Sequence, residues 1–558
     1  MPKPRILVLG AGAAGLKAAA RARRLLPDAG ITVVDRREFI SFGACGLPYV
    51  LSGEVPALDD LRRTSYGALR DADWFAATRD IEVLTGREVE AIDRDKRAIT
   101  VRRTADDART MLMYDQLLYA LGSRTMVPDG VVLGSAVVTS SSPEDVSRLR
   151  HGLEIGQISS ALVLGGGLVG LETAAALADL WGCEATVLEA ADSLLPRVLD
   201  QDMARLVAAH LGRRDITVRC GARVAAAVDR DGRAQVTLAD GETLDADRAV
   251  LALGAEPCTE LARSAGLALG DRGGLVVDAN LRTSDPHILA AGDCVEVVHH
   301  VTGDTLLLPM GSLANRQGRV AGDVLAGRST EFPAVVGSVA VQLLDLNVAA
   351  TGLTEAAAVR AGLDVGVAWG AFDDRSVFHP DRLRVYLKVV YEAGCGRLVG
   401  LQAVGAGDVT KRVDVFAGLL RHDAKLEDLL DLEWCYSPPF NAALDPLHAL
   451  AAAALNACGG GVVQQAPLRP WSNLVVLDVR TAAEFAAGDP AAVPGSVNIP
   501  LEELRRRLDE VPDGDLMVVC AKGPRSVEAA RVLAARRGGP VRYLAGGVDM
   551  AGFGDQGR

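Results

Sequence analysis

Ile6-Leu-Val-Leu-Gly10-Ala-Gly12-Ala-Ala-Gly15 is the stretch that decides the fold, because a short apolar run leads directly into three glycines at GxGxxG spacing. An Ala/Leu/Arg segment of helical character follows, and the β-branched run Ile31 to Val34 then ends at Asp35. In such a unit the first glycine permits a tight turn, the second lets the backbone approach a diphosphate, and the third lets helix and strand pack. The diphosphate lies at the helix N-terminus, and the acid accepts hydrogen bonds from a ribose. We therefore predict a dinucleotide site formed by Gly10, Gly12, Ala13, Gly15 and Asp35.

The same pattern occurs a second time further along the chain. The apolar run Ala161 to Leu164 leads into another GxGxxG motif, and the strand Ala185 to Leu188 ends at Glu189. A carboxylate at this position would repel a 2′-phosphate, and Ala190 and Ala191 offer no arginine to hold one, which favours NADH over NADPH. A lone GxGxxG motif is weak evidence, but strand, helix and acid at the expected spacing argue against a plain structural turn. The predicted residues of this second site are Gly165, Gly167, Gly170 and Glu189.

Composition and charge exclude several classes of function. The chain has 558 residues, which predicts three or four domains, and its 72 acidic and 59 basic residues leave a formal net charge of −13, unfavourable for binding nucleic acid. The 9 cysteines include no pair at CxxC spacing, so they fit neither a secreted disulfide framework nor a zinc site. No run of about 20 apolar residues exists, so we expect no membrane span. We therefore expect a cytoplasmic protein without a metal site.

Two dinucleotide sites on one chain suggest that a nicotinamide gives its hydride to a second bound dinucleotide, for which FAD is the obvious candidate. With these motifs, the chain from residue 1 to about 450 resembles the FAD-dependent pyridine nucleotide-disulfide oxidoreductases. Three further segments carry the resemblance: Tyr114-Asp-Gln-Leu-Leu-Tyr-Ala-Leu-Gly122, Leu251-Ala-Leu-Gly254 and Ala291-Gly-Asp293. In this family the first is the crossing segment, the second echoes it, and the aspartate of the third lies on the FAD ribityl chain. The resemblance thus adds Gly122, Gly254 and Asp293 to the expected cofactor-binding residues.

Cys45 lies in Ser41-Phe-Gly-Ala-Cys45-Gly-Leu-Pro-Tyr49, directly before an apparent helix start. Helix N–H groups and the helix dipole would favour its reactive thiolate form, although a buried, inert state is the commoner fate of a free cysteine. Relatives such as glutathione reductase carry CxxxxC here, whereas this chain has Ile40 and Val50 five residues to either side. A single cysteine must cycle through a mixed disulfide, a persulfide or a sulfenic acid. The resemblance narrows to the single-cysteine subgroup: coenzyme A disulfide reductases, persulfide or polysulfide reductases, and NADH oxidases and peroxidases.

Residues outside the cysteine motif indicate which activity of the single-cysteine subgroup this chain has. The peroxidase branch carries a histidine at the fourth position of the first glycine motif, where this chain has Ala13, which disfavours peroxide. Coenzyme A disulfide reductases carry a tyrosine pair near the redox cysteine of the other subunit. Tyr436 matches one tyrosine, whereas Phe378 stands where the other is expected, with His379 beside it as a substitute. Interface packing explains Tyr436 equally well, and solvated charge explains the arginines of the first helix. The resemblance assigns substrate binding to Arg23 and Arg24, through the coenzyme A phosphates, and to Ser41.

A second cysteine loop, Val518-Val-Cys520-Ala-Lys-Gly-Pro-Arg525-Ser526, runs from an apolar strand into an Ala-rich helix. Successive N–H groups around the sulfur, with two basic side chains alongside, would form a cradle for a thiolate and a bound sulfur anion. The region from about 473 to 550 resembles the rhodanese family, on this loop and on Leu477-Asp-Val-Arg480, Glu484-Phe485 and Leu544-Ala-Gly-Gly547. Dual-specificity phosphatases have one more residue between Cys and Arg, so sulfur fits better than phosphate. The resemblance assigns catalysis to Cys520 and Arg525, and substrate binding to Lys522, Gly523 and Ser526.

We therefore expect an α/β protein with two Rossmann-like dinucleotide-binding domains, an α+β dimerisation domain and a C-terminal α/β rhodanese domain. The predicted boundaries are 1–115 with 247–328 for FAD, 116–246 for NAD, 329–450 for dimerisation, 451–472 for a linker and 473–558 for rhodanese. In the leading hypothesis, a homodimer uses NADH and FAD to reduce coenzyme A persulfide, polysulfide or coenzyme A disulfide through Cys45, while Cys520 carries sulfane sulfur as a persulfide. Coenzyme A enters as a substrate or bound ligand. Two alternatives stay open: an NADH oxidase that reduces dioxygen, and a sulfur-relay or redox-sensing protein.

Overall fold

A five-stranded parallel sheet is built around the first apolar run of the chain. In the computed structural model, which describes residues 3–458, 461–468, 474–487 and 495–552, the strand Arg5–Leu9 lies at the centre of this sheet. Strands covered on both faces need apolar side chains at consecutive positions, and Val8 and Leu9 are fully buried. The helix Ala13–Leu25 follows the strand and packs on the helix Gly311–Leu325. The strand order in space is Ile288–Ala290, Gln116–Tyr119, Arg5–Leu9, Gly30–Val34 and Glu82–Leu84.

These elements belong to a first compact unit, made of described residues within 1–165, 176–184 and 224–335. Three parallel strands of this unit are Val137–Thr139, Arg248–Leu251 and Ser160–Leu164. Two antiparallel sheets consist of Arg87–Asp93, Ala98–Arg103 and Arg109–Met113, and of Val224–Arg230, Arg233–Leu238 and Thr243–Ala246. Short ladders pair Ser123–Thr125 with Ala255–Pro257, and Val297–Val298 with Thr305–Leu306. Further helices of the unit are Leu47–Ser52, Ala72–Arg79, Pro143–Glu154 and Glu260–Ser264, with 3₁₀ turns at Ala44–Gly46 and Leu58–Arg62.

The second compact unit takes in described residues within 166–175, 185–223 and 336–558. Its first part contains the parallel strands Glu184–Leu188 and Thr217–Arg219 and the helices Leu168–Ala178 and Gln201–Gly212. A five-stranded antiparallel sheet follows, in the order Val339–Leu343, Leu346–Gly352, Leu398–Gly405, Arg384–Glu392 and Val365–Asp373. The helices of this region are Glu355–Arg360, Thr410–Leu420, Leu426–Leu430 and Pro446–Cys458.

A second five-stranded parallel sheet lies in the C-terminal part of this unit. Its order is Val462–Gln465, Val541–Leu544, Leu516–Val519, Val475–Asp478 and Val497–Asn498. The accompanying helices are Ala482–Ala486, Leu501–Leu504, Pro524–Arg537 and Gly547–Gly552, with a 3₁₀ turn at Leu508–Glu510. The strand Leu516–Val519 is central, so the Cys520 loop follows the carboxyl end of a strand inside the sheet, where ligands of open α/β sheets bind.

The segment predicted as a linker, 451–472, contains regular structure. Residues up to Cys458 continue a helix, and Val462–Gln465 form the edge strand that pairs with Val541–Leu544. Composition misled here, because an Ala-rich run followed by glycines and prolines is typical of both a helix end and a linker. Residues 459–460 and 469–472 of the predicted linker lie outside the described residues. The predicted α/β fold class is confirmed, and within the described ranges every helix is too short or too polar to cross a bilayer.

Candidate active site

The first glycine loop has the geometry of a dinucleotide site. Gly10 adopts φ +101°, and a Cβ on Gly15 would overlap the Gly10 carbonyl oxygen, so neither position accepts a side chain. Asp35 holds the loop to the end of the second strand: its Oδ2 accepts the Ala11 N–H at 2.7 Å. At Gly12 a Cβ would meet no atom within 4 Å, which leaves open space at the N-terminus of a 13-residue helix. This space and the uncapped N–H groups beside it fit a diphosphate.

The second glycine loop repeats these contacts. Gly165 adopts φ +114°, and the Gly166 N–H donates to Glu189 Oε2 at 2.7 Å, as Ala11 does to Asp35. The Ala191 N–H donates to the other carboxylate oxygen at 2.8 Å. At Gly167 a Cβ would again meet no atom within 4 Å, and Gly170 lies in the helix Leu168–Ala178. The duplicated sequence pattern is therefore a duplicated hydrogen-bond pattern, in which each terminal acid is oriented by its own loop.

Asp293 lies in the first unit, beside the crossing segments. Its Oδ2 accepts a hydrogen bond from Ser123 Oγ at 3.0 Å, and burial raises the pKa of its carboxyl group against that hydrogen bond. Gly122 accepts the Cys258 N–H at 2.9 Å and Gly254 accepts the Met126 N–H at 3.0 Å, so the two segments are joined through their glycines. Sequence reasoning missed Ser123, although its place directly after Gly122 was a usable signal.

Cys45 is exposed and lies beside two helix N-termini, that of the helix expected directly after it and that of a longer helix distant in sequence. The cysteine sits in the 3₁₀ turn Ala44–Gly46, and the helix that follows it, Leu47–Ser52, has only 6 residues. A Cβ on Gly311 would lie 3.7 Å from Cys45 Sγ, and Gly311 begins the 15-residue helix Gly311–Leu325. The N–H groups and dipole of this longer helix therefore favour negative charge at the sulfur.

The predicted coenzyme A residues of the first unit differ in availability. The Arg23 guanidinium donates to four backbone carbonyl oxygens and lies 3.3 Å from the Asp80 carboxylate, so its donors are used inside the fold. Arg24 is exposed on the same helix. Ser41 adopts φ +59°, and its N–H donates to the Ala11 carbonyl oxygen at 3.2 Å, which ties the Cys45 segment to the first glycine loop. Arg24 thus suits a phosphate better than Arg23 does.

The buried Arg412 joins two segments of the second unit, residues 374–384 and residues 431–445. Arg412 is fully buried, with Nε 3.0 Å and Nη2 2.9 Å from Asp445 Oδ2. Its Nη1 donates to the Asp408 carbonyl oxygen at 2.6 Å, and its Nη2 donates to the Asp374 carbonyl oxygen at 2.8 Å and to Asn441 Oδ1 at 3.1 Å. Every nitrogen of the guanidinium is thus engaged.

The segments joined by Arg412 carry the side chains that the sequence compared with the tyrosine pair. Phe378 is 72% exposed and Tyr436 is 52% exposed, so both point to the surface rather than into the core. His379 Nδ1 accepts the Asp381 N–H at 3.2 Å. Cys45 belongs to the first unit and Tyr436 to the second, so a catalytic role for the tyrosine stays a prediction.

The Cys520 loop surrounds its sulfur with backbone donors. The Gly523 N–H donates to Cys520 Sγ at 3.1 Å and the Ser526 N–H at 3.4 Å, while Ser526 Oγ lies 3.5 Å from the sulfur. Gly523 adopts φ +111°, which turns the chain around the sulfur and into the 14-residue helix Pro524–Arg537. Cys520 is only 1% exposed. The structure therefore places the predicted Gly523 and Ser526 at the sulfur.

Both basic side chains of this loop are paired with carboxylates. Arg525 forms a bidentate ion pair with Glu484, at 2.7 and 2.8 Å, and this hydrogen-bonded pairing lowers the pKa of Glu484 to about 2. Lys522 Nζ lies 2.9 Å from Asp373 Oδ2, at the end of the strand Val365–Asp373. The substrate-binding role of Lys522 and the catalytic role of Arg525 stay predictions. Glu484 was visible as part of the Thr481 capping box, whereas nothing in the sequence marked Asp373.

A match to the model of a protein family identifies the family of this chain. Residues 4–310, more than half of the chain, match the model described as Pyridine nucleotide-disulphide oxidoreductase. The chain belongs to the pyridine nucleotide-disulphide oxidoreductase family. Members of this family use FAD and NAD(P)H, which confirms the predicted flavin and nicotinamide. The dimerisation domain of the same family matches residues 339–447, and the Rhodanese-like domain matches residues 465–550.

Similar proteins narrow the comparison within the family. A relative from Pyrococcus abyssi named NAD(P)H sulfur oxidoreductase (CoA-dependent) is 30% identical over 451 residues, covering 80% of this chain and 98% of that protein. A relative from Methanocaldococcus jannaschii named NADH oxidase is 31% identical over 454 residues, covering 81% and 98%. The structure of an NAD-dependent persulfide reductase from A. fulgidus is similar with a TM-score of 0.93 and 38% identity, covering 98% of this chain and 99% of that one. The last match includes the C-terminal region, which the first two do not span.

Proposed function

We propose that this chain is an FAD-dependent NADH oxidoreductase that reduces a coenzyme A persulfide, a polysulfide or coenzyme A disulfide through Cys45, coupled to sulfur transfer at Cys520. The observation that carries this proposal is the presence of two different single-cysteine sites. Cys45 is exposed beside the start of a long helix, and Cys520 is buried in a backbone cradle. The names of the similar proteins from Pyrococcus abyssi and A. fulgidus support the same activity.

Residues of the two glycine loops would hold the cofactors. Gly10, Gly12, Gly15 and Asp35, with Asp293, suit FAD, which supplies the electron pair that it takes from NADH. Gly165, Gly167 and Glu189 suit the nicotinamide dinucleotide. Both Glu189 oxygens face backbone N–H groups at the loop, so the carboxylate is held where it meets a ribose and would repel a 2′-phosphate. This arrangement supports NADH over NADPH.

The chemistry at Cys45 is a thiol exchange followed by a two-electron reduction. The Cys45 thiolate attacks the outer sulfur of R–S–SH, so a bond forms between Cys45 Sγ and that sulfur while the substrate S–S bond breaks and R–S⁻ leaves. Two electrons then convert the resulting persulfide, Cys45–S–SH, into the thiolate and HS⁻. The N-terminus of the helix Gly311–Leu325 stabilises the thiolate at both stages.

Cys520 would carry sulfane sulfur as a persulfide. Its sulfur accepts two backbone N–H groups, and the extra sulfur of a persulfide anion would receive the same kind of support from the helix that begins at Pro524. A persulfide formed here can pass its outer sulfur to coenzyme A, which then serves as the substrate at Cys45. The two reactions share a carrier thiol, so placing them on one chain raises its effective concentration.

We also propose a cytoplasmic homodimer that acts on small thiol-derived substrates and not on nucleic acid. Phe378, Tyr436, Phe440 and Leu444 are all more than half exposed in a region matched by the dimerisation domain, which suits contact with a second copy. Seven cysteines whose side chains the structure describes, Cys183, Cys220, Cys258, Cys294, Cys395, Cys435 and Cys520, form no disulfide, which suits a reducing compartment. The net charge of −13 disfavours a phosphate backbone.

Single substitutions at the two cysteines test the proposal. Cys45→Ser should abolish NADH-dependent reduction of coenzyme A persulfide, and Cys520→Ser should leave that reduction intact while it removes sulfur transfer. Cys395→Ser, which changes an exposed cysteine between the strands Arg384–Glu392 and Leu398–Gly405, is the matched control. Undiminished NADH-dependent turnover in Cys45→Ser would overturn the proposal.

NADH oxidase activity is the second candidate, because a relative of that name is 31% identical. In that case Cys45 would act as a sulfenic acid while dioxygen is reduced. Oxygen uptake per NADH oxidised, measured without any thiol substrate, distinguishes the NADH oxidase from the persulfide reductase. Stoichiometric uptake at the rate seen with coenzyme A persulfide would favour the oxidase.

A further inference from the structure

The cationic side chain nearest in sequence to Cys520 belongs to a charge network with no net charge. Lys522 Nζ lies 2.9 Å from Asp373 Oδ2, and Arg384 Nη1 lies 2.8 Å from the other Asp373 oxygen. Arg384 Nη2 lies 3.3 Å from Asp549 Oδ2. Two cations and two carboxylates therefore pair with one another, and Asp373 neutralises the charge of Lys522.

The second cation of the loop is paired as well. Arg525 presents both terminal nitrogens to Glu484, a geometry that uses the face of the guanidinium best suited to an anion. The direct donors to Cys520 Sγ are the N–H groups of Gly523 and Ser526, at the N-terminus of the 14-residue helix, while Arg525 interacts with the sulfur electrostatically with its charge already paired to Glu484. A helix N-terminus is equivalent to about half a positive charge. These groups suit one negative charge, that of a thiolate or a persulfide anion.

We propose that Asp373 and Glu484 are specificity-determining residues, which restrict the sulfur donor of Cys520 to species with at most one negative charge at the reacting group. The donor class is a thiol persulfide or another monoanionic sulfane-sulfur compound, and dianionic thiosulfate is disfavoured. This inference rests on the proposed sulfur transfer at Cys520. The selection is assigned to two carboxylates that act through the cations of the loop, Asp373 through Lys522 and Glu484 through Arg525.

The transfer step is the same for every donor. The Cys520 thiolate attacks the sulfane sulfur of R–S–SH, forming the Cys520 S–S bond and releasing R–S⁻, with no net oxidation. With thiosulfate the same step releases sulfite, but a dianion must first approach a thiolate. That approach brings three negative charges together where the nearby cations are already neutralised, and like charges at short distance in a buried site repel strongly.

Asp373 makes this selection unusual because it lies outside the region matched by the rhodanese model. It ends the strand Val365–Asp373, within residues 339–447 that match the dimerisation domain. A rhodanese unit separated from this strand would regain Lys522 as an unengaged cation. The contribution of Asp373 to the donor preference is therefore a property of the full chain, whereas Glu484 lies within the rhodanese match itself.

A pair of donors matched in shape measures the effect of charge. Methanethiosulfonate carries one negative charge and thiosulfate carries two, and both deliver a sulfane sulfur to a thiolate. Sulfur transfer to cyanide by the full-length holoenzyme is followed as thiocyanate, and each rate is divided by the rate of the same donor with free cysteine. We expect the normalised kcat/KM of methanethiosulfonate to exceed that of thiosulfate by about tenfold or more, the effect of one charge-assisted hydrogen bond. Equal normalised values would overturn the inference.

Two conservative variants test the assignment to the carboxylates. Asp373→Asn and Glu484→Gln should each raise the thiosulfate kcat/KM about tenfold by releasing a cation, with methanethiosulfonate nearly unchanged. Asp509→Asn, which removes a carboxylate paired with Arg536 in the same region, should change neither donor. Parallel changes for both donors in the first two variants would contradict the assignment.

The outcomes separate this inference from the function on which it rests. If Cys520→Ser retains sulfur transfer from methanethiosulfonate, sulfur transfer at Cys520 itself is refuted. If Cys520→Ser loses transfer while the unaltered enzyme uses thiosulfate as well as methanethiosulfonate, only the charge selection is refuted. NADH-dependent reduction at Cys45 and the melting temperature, measured on every variant, show whether Asp373→Asn has disturbed the fold.

Discussion

Replacement of Arg412 by methionine should release the two aromatic segments that this arginine joins. The side chain is fully buried and its nitrogens reach Asp445, Asn441 and two backbone carbonyl oxygens. Removing one partner of a buried ion pair leaves the other charge uncompensated, which costs about 3–5 kcal/mol. The lost hydrogen bonds to neutral oxygens add to this cost, so we expect a value of at least about 3 kcal/mol.

Hydrogen–deuterium exchange of residues 374–384 and 431–445 measures this loss where it occurs. A change of about 3 kcal/mol corresponds to roughly 100-fold faster exchange. Arg536→Met is the control, because Arg536 and its partner Asp509 are both more than half exposed, and exposed pairs contribute about 0–1 kcal/mol. The double variant Arg412→Met/Asp445→Leu should recover much of the protection, since it removes both buried charges. Unchanged exchange in Arg412→Met, or an equal effect in Arg536→Met, would refute the argument.

Three further predictions concern the sites. Gly15→Val should yield a protein without flavin absorbance, because its Cβ would overlap a loop carbonyl oxygen, whereas Gly212→Ala, in open space, should keep its flavin. The ion pair with Arg525 lowers the pKa of Glu484 from an ordinary 4.5 to about 2 in the folded protein, so the carboxylate stabilises the Ala482–Ala486 helix fully above pH 4.5 and loses this effect as the pH falls toward 2. Amide exchange of that helix should therefore become faster over this pH range. Glu484→Gln should remove the pH dependence. Burial raises the pKa of Cys183 and Cys294 to about 12, so mass spectrometry after iodoacetamide treatment at pH 8 should find both unmodified in the folded protein, and alkylation there would contradict the packing.

The parts of the site that the sequence predicted are those whose contacts are local. Both glycine loops and the sulfur cradle are built within a few residues, so spacing predicted Gly10 and Gly165, and the resemblance of the local loop to the rhodanese family indicated Gly523. The acids at Asp35 and Glu189 were also accessible, because the strand-turn-helix-strand unit has a regular length.

The parts that the sequence did not predict depend on contacts between distant residues. Asp373 is 149 positions from Lys522, and no local pattern marks such a pairing. The helix that begins at Gly311 supplies the N-terminus beside Cys45, although Leu47–Ser52 is the helix that follows the cysteine in sequence. Arg412 carried no signal at all, because an arginine on an amphipathic helix ordinarily faces solvent.

The order of strands in the first sheet also sets the order of events during synthesis. The strand Arg5–Leu9 leaves the ribosome first, whereas its sheet is completed only by Ile288–Ala290, after more than half of the chain has been translated. At about 5–20 residues per second this interval lasts roughly 15–60 s. Asp293 follows three residues later, so the glycine loop and the aspartate that together suit FAD cannot coexist in a shorter nascent chain. A flavin that contacts Asp293 cannot bind before this point of synthesis, and the unpaired edge of Gln116–Tyr119 must be kept from other chains until then.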